Sequence, residues 1–208
     1  MSAVRPFVPR AVCCLVALAL PAAAVANDAL AERFATAALR AGDTGGRAVA
    51  VVSKPAATVW VFDRSGRLVG SSPVLVGQAR GDIAPRDIGS RPLGQVRPHE
   101  KVTSAGRYLT EPGRNHSGED IVWLDYDAAL SMHRVRHVRG ENRPQRLQTP
   151  TVADNRISFG CINVPERFYD RTIDPLFARE PGVVYVLPET EPIERWFPFA
   201  RDVVAPNS

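Results

Sequence analysis

Arg156-Ile157-Ser158-Phe159-Gly160-Cys161-Ile162-Asn163-Val164-Pro165 is the stretch on which the reading of this chain turns. Residues 156–158 have the β-branched, polar look of a strand end. Gly160 breaks the run, Cys161 follows, and Pro165 suits the first turn of a helix running to about Phe177. This reading puts Cys161 near a helix N-terminus, where backbone N–H groups and the dipole favour a thiolate over a thiol. The same N–H groups can hold an oxyanion when an acyl carbonyl is attacked. Gly160, lacking a side chain, lets a substrate approach the backbone.

Cys161 stands out because of where the other two of the three cysteines lie. Cys13 and Cys14 fall in the apolar run 11–20, which follows the basic Arg5 and Arg10 and precedes Pro21 and the small-residue tripeptide Ala24-Val25-Ala26. That is the pattern of a secretory signal peptide spanning 1–26, cleaved after Ala26. Export leaves Cys161 alone in a compartment where cysteines normally pair. A solitary thiol is either a small buried hydrophobe or a group that does chemistry.

A thiol nucleophile needs a base, since an ordinary cysteine is mostly protonated at neutral pH. The histidines are His99, His116, His133 and His137. His99 and His116 lie in expected loops. His133 sits in a strand-like segment, residues 129–135, where alternation puts Ser131 and His133 on one face and Met132 and Arg134 on the other. A polar pair facing away from a buried Met suits a cleft, and equally a half-buried structural His. His137 is the alternative base.

Composition narrows the class. At 208 residues, 45% hydrophobic and 23% charged, the chain suits one or two globular domains. A net charge of +4 argues against a dedicated nucleic-acid binder, and no apolar run reaches the ~18–20 residues of a membrane span. The expected order is a signal peptide (1–26), a short helix and linker capped at Asn27 or Asp28 (27–46), a catalytic domain (47–190) and a Pro-rich tail (191–208). Within the domain, residues 48–52, 58–62, 68–76, 107–109, 121–124, 129–135 and 182–188 read as strands. Residues 58–76 form a hairpin around Asp63-Arg64-Ser65-Gly66. Residues 77–106 and 111–120 read as loop. Residues 136–156 carry Arg136, Arg139, Arg143, Arg146 and Arg156 and read as an exposed loop of solvated charge. The fold class is mainly β, a sandwich- or barrel-like domain with short helices, one of them after the nucleophile.

With these residues in place, a resemblance emerges. Residues 158–164, Ser-Phe-Gly-Cys-Ile-Asn-Val, resemble the active-site signature of the YkuD-type L,D-transpeptidase catalytic domain: a strand histidine, a loop, then Ser-His-Gly-Cys, an aliphatic residue and Arg or Asn. His133 matches the first position. Residues 103–108 resemble the family's Thr-Pro-x-Gly-x-Phe segment, and residues 58–77 its opening hairpin. The resemblance spans roughly residues 47–188. It departs in three places: Phe159 replaces the signature's second His, Arg134 rather than Gly follows His133, and the loop from His133 to Cys161 is longer. That extra loop is either a lid or acceptor-recognition element or an exposed insertion.

The resemblance implies a periplasmic cysteine L,D-transpeptidase acting on peptidoglycan stem tetrapeptides. Cys161 is then the acylated nucleophile and His133 its base. The backbone carbonyl of Arg134 orients the imidazole, Gly160 and Cys161 supply oxyanion N–H groups, and Ser158 and Asn163 flank the nucleophile, Asn163 towards substrate. The thioester passes to a second stem, forming a 3→3 cross-link, or to an amine of an envelope protein. Neither a cofactor nor a metal is implied. Two alternatives stand: an L,D-carboxypeptidase or other peptidoglycan hydrolase using the same Cys–His pair, and a non-catalytic wall-binding module.

Overall fold

The computed structural model describes residues 22–204; residues 1–21, which carry most of the signal-sequence reading, lie outside the described residues. The chain is mainly β, with several sheets and a few short helices. The first helix, α1 (Ala22–Arg40), begins upstream of Asn27, because the alanine-rich residues 22–26 favour helix most strongly. Asp28 therefore caps nothing; its carboxylate accepts the Trp60 indole N–H at 2.7 Å.

A five-stranded sheet follows in the order β3-β2-β1-β11-β5. Its strands are β1 (Val49–Ser53), β2 (Thr58–Phe62), β3 (Leu68–Pro73), β5 (Gly106–Leu109) and β11 (Val183–Leu187). The hairpin β2–β3 turns at Asp63–Gly66, where Asp63 Oδ1 accepts from the N–H groups of Ser65 and Arg67. β1 and β11 are parallel and buried along their whole length, as expected of strands covered on both faces. Their alternation divides two cores. Ala50, Val52, Val184 and Val186 face one; Val49, Val51, Val183 and Tyr185 face the other.

The first core lies against a four-stranded sheet, β10-β8-β7-β6. These strands are β6 (Glu111–Arg114), β7 (Asp120–Asp125), β8 (Leu130–Arg134) and β10 (Ile162–Val164). Val122, Met132, Ile162 and Val164 point into it. A small parallel pair, β4 (Val76–Gly77) and β9 (Arg156–Ser158), completes the strands. Two sequence expectations change here. Residues 111–114 are strand rather than loop, at the sheet edge, where Pro112 and Gly113 are tolerated. The segment 136–156 is partly helical, with α2 (Arg143–Arg146) and a 3-10 turn at Val152–Asn155. After β10 come α3 (Glu166–Phe168), a π-helical segment (Tyr169–Ile173) and α4 (Asp174–Phe177).

The second core is closed by the first and last helical segments of the described residues. α1 packs with α5 (Ile193–Trp196) and α6 (Arg201–Val204) over the outer face of the five-stranded sheet. Phe34, Tyr185, Phe197 and Phe199 form a mutual aromatic cluster there, with ring centroids 5.1–6.1 Å apart. No helix among the described residues is long and apolar enough to cross a membrane.

Candidate active site

Two neighbouring parallel strands build the site. β10 pairs with β8 in the register Ile162↔Met132, Asn163↔His133, Val164↔Arg134. Side chains alternate on both, so Met132 and Ile162 enter the core together, fully buried, while Ser131, His133, Cys161 and Asn163 share the opposite face. The other edge of β10 is held by Leu75, whose N–H and C=O exchange hydrogen bonds with Asn163 at 2.9 Å each. The backbone thus fixes the Asn163–His133 pairing from both sides.

Cys161 precedes β10, not a helix. Helix α3 starts only at Glu166, so the helix dipole expected at the thiol is absent, and a strand lies between the two. Pro165 still opens the helix, as its cap, but a strand end is what the β-branched and apolar run 162–164 forms. What acts on the thiol instead is its immediate neighbours. Sγ is half-buried, 3.5 Å from Ser131 Oγ and 3.3 Å from the Ala129 carbonyl. Burial pushes the Cys161 thiol up, but the nearby His133 and the Ser131 hydroxyl and N–H outweigh it, so its pKa lies below the ordinary value. Ala129 has φ of +50°, a left-handed conformation uncommon outside glycine.

His133 is held at both ring nitrogens. Nδ1 is 2.7 Å from the Arg134 carbonyl, and Nε2 is 3.4 Å from Asn163 Nδ2. A carbonyl can only accept, so Nδ1 carries the hydrogen and Nε2 the lone pair. The Arg134 side chain leaves the site: it pairs with Asp120 and Asp170 and lies 4.2 Å from the Tyr169 ring centre. His99, His116 and His137 are exposed.

The turn before Cys161 is fixed by its own polar groups. Ser158 Oγ donates to the Cys161 carbonyl at 2.7 Å and accepts from the Gly160 N–H at 3.1 Å. The Gly160 N–H is therefore already committed, and of the two oxyanion donors expected only the Cys161 N–H has no acceptor among the described residues. Gly160 adopts φ of +137°, and a Cβ there would meet the Val102 carbonyl at 2.9 Å; glycine is required. Phe159, in place of the signature histidine, is half-buried with Lys101 Nζ 3.8 Å from its ring centre.

Three supporting groups carry no sequence signal of their own role. Thr103 Oγ1 accepts from the Gly77 N–H at 2.8 Å and donates to the Gly160 carbonyl at 2.6 Å, joining β4 to the nucleophile turn. Buried Lys54 donates to the Thr103 carbonyl at 3.0 Å and pairs with Asp82 at 2.7 Å. Arg143, read as a solvated charge, is buried and donates to Asn163 Oδ1 at 3.1 Å. Its correction has a clear reason: a carboxylate, Glu141, and an amide meet it, and paired arginines can be buried where free ones cannot.

No protein-family model matches the chain, and no curated protein does. The solved structures it resembles include L,D-transpeptidases. Mycobacterium tuberculosis L,D-transpeptidase 1 shares 16% identity over 67% of this chain and 61% of that one, with a TM-score of 0.36. The catalytic domain of the Enterococcus faecium (E. faecium) L,D-transpeptidase shares 14% over 67% and 95%, with a TM-score of 0.37. The helical cell shape determining protein Pgp2 from Campylobacter jejuni shares 13% over 70% and 49%, with a TM-score of 0.44. The chain spans about three fifths of the Mycobacterium structure.

Proposed function

We propose that the chain is a periplasmic cysteine L,D-transpeptidase acting on peptidoglycan stem tetrapeptides. What supports this reading is the strand pair whose alternation puts Cys161 and His133 on one face, with the His133 lone pair at Nε2. In the proposed reaction Nε2 takes the thiol proton, and Sγ attacks the carbonyl between the third residue and the terminal D-Ala. The C–S bond forms, and the Cys161 N–H faces the developing oxyanion. The C–N bond then breaks, and the imidazolium returns its proton to the departing D-Ala amine. An amine of a second stem attacks the thioester, gives its proton to His133 and releases the thiol, leaving a 3→3 cross-link. An envelope protein amine could serve as acceptor by the same steps, and water in that role makes the protein an L,D-carboxypeptidase.

Incubation with tetrapeptide muropeptides followed by mass spectrometry tests this reading. Cross-linked dimers support transpeptidation. Loss of D-Ala alone supports the carboxypeptidase, and unchanged muropeptides support a wall-binding module. A carbapenem adduct confined to Cys161 is the expected companion result. Export rests on the signal-sequence reading of residues 1–26, and N-terminal sequencing of secreted material checks it.

A further inference from the structure

Arg143 is 7% exposed, whereas Arg136 and Arg139 in the same segment point to solvent. Its Nε donates to Glu141 Oε2 at 2.5 Å and its Nη1 to Asn163 Oδ1 at 3.1 Å. Among the described residues nothing accepts from Nη2, and that nitrogen is not sealed from water. Arg143 lines an open cavity of about 250 Å³ together with His137, Arg139, Asn142 and Gln145, and no carboxylate lines it. Arg139 makes no ion pair among the described residues. Nη2 is thus the part of a mostly buried guanidinium that a ligand entering from water can reach. The planar fork suits a carboxylate.

Resting on the transpeptidase reading, we propose that this cavity is a subsite for the C-terminal carboxylate of the donor peptide, held by Arg143 with Arg139 at its rim. The placement fits the chemistry. Asn163 spans from Arg143 to the reacting groups: Oδ1 faces the guanidinium, and Nδ2 faces both His133 Nε2 at 3.4 Å and the Cys161 carbonyl at 3.2 Å. Arginine has no acceptor, so it dictates which end of the amide faces His133. The base that protonates the leaving amine is therefore one side chain away from the cavity. In a terminal amino acid the carboxylate is separated from that amine by a single carbon. Substrate length would be read by the same arginine that sets the amide beside the base.

The test uses the full chain carrying Cys161→Ala, which removes turnover, and measures binding of a tetrapeptide muropeptide and of its C-terminal amide by calorimetry. The acid binds at least about tenfold more tightly than the amide, as a charge-assisted pair requires. Arg139→Gln, an exposed change that leaves the thermal midpoint alone, shrinks that ratio severalfold. Arg143→Gln brings it close to one, and Arg143→Lys, which keeps the charge but not the fork, reduces it and covers the case in which the glutamine variant fails to fold. Equal binding of acid and amide overturns the subsite, as does a ratio untouched by both Arg139→Gln and Arg143→Lys. Turnover of muropeptides without this discrimination removes the subsite and leaves the function standing; discrimination without turnover does the reverse.

Discussion

Asn163 and His133 stand opposite each other in a parallel strand pair, with Nδ2 of one 3.4 Å from Nε2 of the other. The consequence is electrostatic as well as geometric. An amide N–H pointing at Nε2 favours the lone pair there, and the Arg134 carbonyl at Nδ1 favours the same tautomer. Asn163 is fully buried, and each of its side-chain atoms has a partner.

The first prediction concerns the thiol. Because His133 is the largest favourable influence on Cys161, alkylation by iodoacetamide reaches half its limiting rate at a lower pH than for an ordinary free cysteine. In His133→Asn that midpoint moves up, since burial then acts with less opposition. Identical profiles for parent and variant would show that the imidazole does not act on the sulfur.

Thr103 offers a cleaner structural test. Thr103→Val keeps the shape but strands the Gly160 carbonyl and the Gly77 N–H, both buried. Each orphaned group costs ~1–3 kcal/mol, so the free energy of urea unfolding falls by about 2–6 kcal/mol, and thioester formation slows because the turn loosens. Thr103→Ser retains the hydroxyl and most of the stability.

Asp82 governs the acid limb of stability. Burial pushes its carboxyl up, but Lys54, Thr190 and the N–H groups of Glu189, Thr190 and Glu191 outweigh it and hold it well below the usual carboxylate range. A depressed folded-state value means that the stabilisation is complete above the unfolded value of ~3.9 and is lost as pH falls through the folded one. Urea midpoints measured from about pH 6 downward drop more steeply for the parent than for Asp82→Asn. Parallel slopes would assign the acid sensitivity elsewhere.

The C-terminal segment belongs to the fold. Phe197 is 3% exposed and lies edge-on to Phe34, with centroids 5.1 Å apart. Phe197→Ala opens a cavity against α1 and costs ~3–5 kcal/mol, read as a lowered denaturation midpoint. A loss under about 1 kcal/mol would mean that the segment is a dispensable tail.

Much of the architecture follows from local pattern. The hairpin at 58–73 and the strands at 49–53, 120–125, 130–134 and 183–187 are legible because β-branched and aromatic runs end at turn residues. The facing of Ser131 and His133 away from Met132 follows from the two-residue period alone. β6 escapes such a reading because proline and glycine mask an edge strand. The helix dipole at Cys161 fails for a related reason: Pro165 marks where a helix starts, but nothing local says that the three residues before it will be captured as a strand by β8 and Leu75.

By itself, then, the order of amino acids determined that one thiol and one strand histidine were worth joining. Their meeting was decided by pairing between segments some thirty residues apart. So were the burial of Arg143 and Lys54 and the bridging role of Thr103. A charge is solvated or buried according to which acceptors the folded chain brings to it, and those acceptors come from distant segments that only close packing assembles.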